Sequence, residues 1–373
     1  MGNTLAILNR KDEAVDHFRE CLHICTENNL PAEETVYLLA NNLYQVNSIA
    51  FALEIIKKYS PEGMDPYWKV KIQLLKAEIL TESEEFTEAL RVLDQCVKLY
   101  SAIPDVKQRQ LVQGEAKKIK GKIHYYVNAY DESQASFSEA ETLYELANDH
   151  RGLAAIYNNQ AVLYMFQGDW EKSEQLFLRS LKLEKENYNL NGISVCYNNL
   201  GSLMDDKGDT QRSIYYLEEA LKLQKMLNEP YNITNIYNNI GVTLMDHNEY
   251  DKAEEALTKS LQTAIDFGFF RNIVATLNNL GALWFKKGDW NQSIALYEQA
   301  IKKSEENDFI EGLLRSFTNL CEGYEKQNEL NLAFDLCFKG LELLPQVSDD
   351  FIKAELYGNL GSVLTKLHRF KEA

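Results

Sequence analysis

The chain has few of the residues that break regular structure: six prolines and 18 glycines in 373 residues, none gathered into a Pro-rich or Gly/Ser-rich stretch. No flexible linker therefore divides it, and disorder is not expected away from the ends. No apolar run approaches the roughly 18 residues that a membrane span needs. The opening MGNTLAILNRKDEAVDHF lacks the charged and apolar regions of a secretory leader. Met1-Gly2 does not begin a myristoylation site either, because residue 6 is Ala. Positive charge is scarce. A net charge of −17 keeps a long chain soluble and argues against nucleic acid or an anionic membrane as partner.

The cysteines (Cys21, Cys25, Cys96, Cys196, Cys321 and Cys337) show no disulfide framework and fall mostly at apolar positions. Reduced thiols in a cytoplasmic protein are expected. Catalytic signatures are missing: no GxxxxGKS/T, GxSxG, HExxH or paired CxxC occurs. The chain is therefore read as non-enzymatic, with no cofactor. His17, Cys21 and Cys25 share a helical face, but Cys21 is expected in the core, so no metal is expected.

What the chain does have is a period. Asn198-Asn199-Leu200-Gly201 recurs as Asn238-Asn239-Ile240-Gly241 and Asn278-Asn279-Leu280-Gly281, forty residues apart each time. Weaker copies at Asn158-Asn159-Gln160-Ala161, Thr318-Asn319-Leu320-Cys321 and Gly358-Asn359-Leu360-Gly361 keep phase. A period of this length marks a repeat array, and chain length then counts repeats rather than domains.

One repeat, residues 154 to 193, reads as two helices. Ile156, Tyr157, Ala161, Tyr164 and Met165 form a first apolar stripe, Gly168-Asp169 breaks it, and Trp170, Ser173, Phe177, Ser180, Leu181 and Leu183 form a second. Small residues at 161, 173 and 180 let the two helices cross closely, with Tyr164 and Phe177 filling the space beside them.

This pattern resembles the tetratricopeptide repeat, with its small residue in the first helix, an aromatic after the turn, and an Ala, Phe, Ala series on the second helix. Gly241 goes with Tyr250, Ala253, Leu257 and Ser260; Gly281 goes with Trp290, Ser293, Tyr297 and Ala300. Earlier copies start at Gly2, Ala40, Ala77 and Gly121, at intervals of 38, 37 and 44 residues. The long interval contains Pro104, which forces a longer connection. The resemblance implies an all-α, right-handed superhelix of about nine helix-turn-helix repeats, irregular over residues 1–106 and regular over 107–373. Repeats of about forty residues resemble those of kinesin light chain, Pins-type adaptors and Rap-type regulators. A Rap-type arrangement implies a separate helical bundle before the array, whereas here the phase begins at Gly2. Both ends fall inside a repeat, so the chain is read as part of a longer polypeptide that could self-associate through its uncapped terminal repeats.

In such a fold the first helices line a concave groove. Asn159, Asn199, Asn239, Asn279, Asn319 and Asn359 would then form a ladder, each carboxamide able to bond a ligand's main-chain N–H and C=O. An alternative is that these residues hydrogen-bond only within the array. Lys118 and Lys122, one helical turn apart with Tyr125 beyond, are candidates to hold a carboxylate or phosphate. Asp205, Asp206 and Asp246, followed by Lys286, Lys326 and Lys366, set up a charge gradient that could orient a ligand. The leading expectation is a scaffold that binds a peptide or protein segment. The alternative is the sensor region of a larger signalling protein.

Overall fold

The computed structural model describes residues 11–27, 31–45, 48–59, 64–347 and 350–368. Of the terminal segments expected to drive self-association, 1–25 and 351–373, residues 1–10 (including Gly2 of the first repeat) and 369–373 lie outside these. Every regular element described is helical. Helix α1 (Lys11–Glu27) is followed by the pairs α2 (Glu33–Gln45) and α3 (Ile49–Lys58), α4 (Pro66–Glu82) and α5 (Phe86–Val97), and α6 (Val106–Tyr126) and α7 (Tyr130–Ala147). Next come α8 (His150–Phe166) with α9 (Trp170–Glu186), α10 (Leu190–Asp206) with α11 (Thr210–Leu227), and α12 (Pro230–Asp246) with α13 (Tyr250–Phe267). The last pairs are α14 (Phe270–Lys287) with α15 (Trp290–Glu305) and α16 (Ile310–Lys326) with α17 (Leu330–Leu343), before α18 (Asp350–Lys366). No described helix is long and apolar enough to cross a membrane. The chain divides into two compact bodies, Met1–Cys196 and Tyr197–Ala373.

The helix breaks repeat as strictly as the helices. Left-handed residues stand at Asn128, Gly168, Gly208, Asn248, Gly288, Asn328 and His368, inside the repeats. A second series, Asn148, Tyr188, Asn228, Gly268 and Asp308, stands between them. Each reverses the chain at a helix C-terminus, where the left-handed conformation satisfies carbonyls that the helix leaves open. Asp169, Asp209 and Asp289 then accept the N–H of Lys172, Arg212 and Gln292 and cap the second helices. Around Pro104 the longer connection carries a 3-10 turn over Tyr100–Ala102 and buries Ile103 completely.

A seam of close contact joins the two helices of each repeat. A Cβ placed on Gly121 would lie 2.5 Å from the Phe137 ring, and one on Gly241 would lie 2.5 Å from Leu257. Gly201 faces Leu217 and Gly281 faces Tyr297 in the same way. The partner always lies 16 residues on, and Ala161 and Phe177, both fully buried, occupy the same two positions. These residues sit where the sequence puts them, buried in mid-helix, except that Gly361 is half-buried in α18.

Two cysteine assignments need correction. Cys21 is exposed, because the buried stripe of α1 runs through Ala14, Val15, Phe18, Leu22 and Cys25 and leaves position 21 at its edge. Cys321 and Cys337 bring their sulfurs together as one pair with disulfide geometry rather than standing as separate core thiols. They occupy the two seam positions of the α16–α17 repeat, where the fold itself brings side chains of facing helices together.

Candidate functional site: the first-helix face

Successive first helices pack side by side. In the first body α2 packs on α4, α4 on α6, and α6 on α8; in the second, α12 packs on α14, α14 on α16, and α16 on α18. Second helices do not pack on one another to a comparable degree among the described residues. Each body therefore presents a continuous layer of first helices, and all the candidate binding residues lie on these helices.

In the second body the asparagines form cross-repeat hydrogen bonds. Asn239 Nδ2 donates to Asn198 Oδ1 at 2.9 Å, Asn279 Nδ2 to Asn238 Oδ1 at 2.8 Å, and Asn319 Nδ2 to Asn278 Oδ1 at 3.0 Å. Position 318 is Thr, so no carboxamide is available there, and Asn359 Nδ2 donates instead to the Thr318 main-chain carbonyl at 2.9 Å. Asn198 Nδ2 also reaches Asn199 Oδ1 at 3.4 Å. The expectation of carboxamides with both edges open to a ligand is thus corrected for Asn239, Asn279, Asn319 and Asn359. Their donor edges tie one repeat to the one before it, while each side chain remains half-buried rather than enclosed. Asn159, on α8 of the first body, is half-buried in the same way.

The first body uses charges in the same role. Lys71 on α4 pairs with Glu115 on α6 at 2.6 Å. Lys122 on α6 reaches back to Glu82 at 2.7 Å and to Glu78 at 3.5 Å, both on α4. Burial works against the Lys122 ammonium, but Glu78 and Glu82 outweigh it and raise its pKa. Lys118 stands between these pairs without a direct ion pair among the described residues. The carboxylate of Glu78 raises the pKa of Lys118, and the Lys118 charge in turn holds the Glu78 carboxyl below its usual range. Lys118 and Lys122 therefore differ: both feel the Glu78 charge, but among the described residues Lys122 alone of the two makes direct ion pairs with the glutamates. Tyrosines border the cluster: the Lys71 ammonium lies 5.0 Å from the Tyr37 ring centre, and Tyr126 is close enough to add to the field at Lys122. Tyr125 turns away, packing on Tyr130 and Phe166.

Lys71, Glu78, Glu82 and Glu115 were not picked out from the sequence. Their signal was the spacing: Lys71 to Glu115 and Glu78 to Lys122 are each 44 residues apart, matching the long interval between those repeats.

The charge gradient is partly cancelled. Asp246 pairs with Lys286 at 2.7 Å, and Lys366 pairs with Glu325 at 2.6 Å. Asp206 and Lys326 are exposed. Burial raises the carboxyl pKa of Asp205; Asp206 is exposed as a residue, but partial desolvation of its carboxyl, then repulsion from Asp205, raises its pKa as well. His247 bonds the Thr243 carbonyl through Nδ1 at 2.8 Å and stands 3.9 Å from Asp205. No group of metal-ligating side chains occurs among the described residues.

Two compact arrays of paired helices, each with a polar first-helix layer, define a helical-repeat protein. A tetratricopeptide repeat model matches residues 152–226, and a second matches 234–265 and 273–306; the chain carries tetratricopeptide repeats. No curated protein matches the sequence. Among solved structures, it is similar to a Rap protein complexed with competence and sporulation factor, at 20% identity or less like the others: 15% identity, a TM-score of 0.61, and coverage of 91% of this chain and 99% of that one. NprR in complex with its cognate peptide NprX is similar at 17% identity and a TM-score of 0.53, covering 81% of this chain and 86% of that one. The third is a signal transduction ATPase of Pyrococcus horikoshii with a tetratricopeptide repeat sensor, at 11% identity and a TM-score of 0.58. It covers 94% of this chain, which spans only 55% of the ATPase.

Proposed function

We propose that the chain is a non-enzymatic scaffold whose first-helix face binds an extended peptide or protein segment. The observation that carries this reading is the half-buried asparagine series Asn239, Asn279, Asn319 and Asn359, whose hydrogen bonds within the array use Nδ2. The Oδ1 edge then accepts N–H groups of a ligand main chain, which favours an extended segment of any sequence. Asn159 holds the same phase position in the first body, whereas Asn199 Oδ1 in the second accepts from Asn198 Nδ2. Lys118 supplies an ammonium for a ligand carboxylate or phosphate, with Lys122 holding the glutamates beside it. Asp206 and Lys326, with the Asp246–Lys286 pair between them along the chain, bias ligand direction. The strongly acidic chain favours a cytoplasmic protein or peptide partner over nucleic acid or a membrane. The NprR likeness, a complex with a peptide, supports the same reading.

The test begins with a peptide selected from a random display library on the full chain. Lys118→Met should weaken a selected acidic peptide by about 13- to 160-fold, as loss of one charge-assisted hydrogen bond does, measured well below the melting temperature. Asn279→Ala should weaken main-chain binding by about 2- to 13-fold, measured well below the melting temperature. Unchanged affinity in both variants sinks the proposal.

A second reading is a sensor region within a larger signalling protein. It is favoured by the ATPase likeness, in which a comparable array accompanies further domains.

A further inference from the structure

At the seam of the α16–α17 repeat the sequence changes chemistry. The neighbouring repeat places Gly281 against Tyr297, and the one before it Gly241 against Leu257. Here both positions are cysteine, Cys321 and Cys337, with Cα atoms 6.5 Å apart and both side chains fully buried. That spacing lies within the usual range for a disulfide. It comes from the repeat architecture, because the same two positions meet in repeats that contain no cysteine.

We propose that Cys321 and Cys337 form a redox modification site, a buried dithiol that closes to an intrachain disulfide by exchange with a small-molecule disulfide such as glutathione disulfide. One protein thiolate attacks the reagent, forms a mixed disulfide and expels one glutathione thiolate. The second protein sulfur then attacks the mixed disulfide and expels the other. The two protein sulfurs are oxidised and the two glutathione sulfurs reduced, and the protein's thiol protons end on the departing glutathiones.

The reduced state also fits this site. As a thiol, Cys321 has the Ala333 carbonyl 3.5 Å from its Sγ as an acceptor. Other repeats make the equivalent tie with a serine 12 residues on: Ser133 Oγ donates to the Gly121 carbonyl at 2.9 Å, and Ser173 Oγ to the Ala161 carbonyl at 2.8 Å. Either redox state therefore leaves the seam packed. With no exposed sulfur, the first attack requires α16 and α17 to part locally, so exchange is limited by opening of this repeat. The remaining cysteines are placed differently. Cys96 and Cys196 are single buried thiols pushed up by burial to about 12 and about 11, and Cys21 and Cys25 share helix α1. The crosslink closes a short loop between two packed helices, which restricts the unfolded chain and stabilises the repeat.

The test uses the full chain, purified in reductant, equilibrated with glutathione mixtures, quenched in acid, unfolded, alkylated and digested. Weighed intact before alkylation, the chain should be about 2 Da lighter, with the two sulfurs joined and two thiol hydrogens gone, and the alkylated digest should contain a linked pair of peptides holding Cys321 and Cys337. The oxidised chain should melt several degrees above the reduced one. The double variant Cys321→Gly/Cys337→Tyr, which repeats the seam pair of the preceding repeat, should fold and lose that difference. Alkylation of both cysteines at every glutathione ratio overturns the proposal. So does a link to any other cysteine, or an equal melting shift in the double variant.

Discussion

The two bodies solve one problem with different chemistry. Each must hold successive first helices together across a half-wet polar face. The first body does so with ions, Lys71 to Glu115 and Lys122 to Glu82 and Glu78, whereas the second does so mainly with neutral carboxamides, from Asn239 to Asn359, and adds ion pairs at helix C-terminal ends, Asp246–Lys286 and Glu325–Lys366. The contrast shows that a repeat position constrains geometry more tightly than chemistry. A side chain that reaches one repeat back is required; whether it carries charge decides how the body responds to pH and salt. A charged hydrogen bond is stronger than a neutral one but must overcome desolvation of both partners. An amide pair contributes less and is indifferent to proton and salt concentration.

The largest expected effect removes the amide ties. Replacing Asn239, Asn279 and Asn319 together by Ala deletes three cross-repeat hydrogen bonds and should destabilise the second body by about 2–4 kcal/mol. Thermal unfolding followed by circular dichroism at low and high salt should show the same loss at both. A loss that shrinks markedly with salt would break the comparison.

A change at the seam comes next. Gly241→Leu forces a side chain into Leu257 and should cost about 1–3 kcal/mol through overpacking, while Gly168→Ala, at a left-handed turn with open space around it, tests backbone strain alone. If Gly241→Leu melts like the parent protein, the close approach of α12 and α13 is wrong.

The pH response should be smallest, and groups of opposite sign contribute to it. Glu78 has a folded pKa below its unfolded value. Its stabilisation is present above the unfolded pKa of about 4.3 and is lost as pH falls through the folded value. Lys118 has a raised folded pKa, so its contribution is present below about 10.4 and is lost as pH rises through the folded value. Asp205 and Asp206 have raised folded pKa values, so protonating them as pH falls stabilises the second body. Chemical denaturation between about pH 3 and pH 7, with a probe in each body, should show the first weakening on acidification while the aspartates offset that trend in the second. Glu78→Gln should remove most of the acid response of the first body.

Much of the fold was legible because its constraint is steric and strictly phased. Gly201, Gly241 and Gly281 face large residues 16 positions on, and few side chains tolerate that approach. The turns were legible for a similar reason, since Gly168 and its counterparts need a left-handed backbone. The asparagine positions were also legible, but not their bonding. A carboxamide has a donor edge and an acceptor edge, and only coordinates show that Asn279 spends its donor on Asn238. The ionic ties escaped notice because the partners sit 40 or 44 residues apart across the irregular interval rather than on one helix. The Cys321–Cys337 pairing was hidden by reading each cysteine as a core thiol, although both occupy seam positions.

Hydrogen exchange read by mass spectrometry tests the contrast most directly, because it reports both bodies in one sample. Exchange is compared in low salt and in about 1 M salt, where the Debye length shrinks to about 3 Å, for the parent protein and for Lys122→Met. Salt should lower protection in α4 and α6 of the parent and lower it less in the variant, where among the described residues only the Lys71–Glu115 ion pair still joins them, while any loss in α12 and α14 stays confined to their last turns, where Asp246 and Lys286 pair. Equal loss of protection in both bodies, or none in α4 and α6, would contradict the contrast.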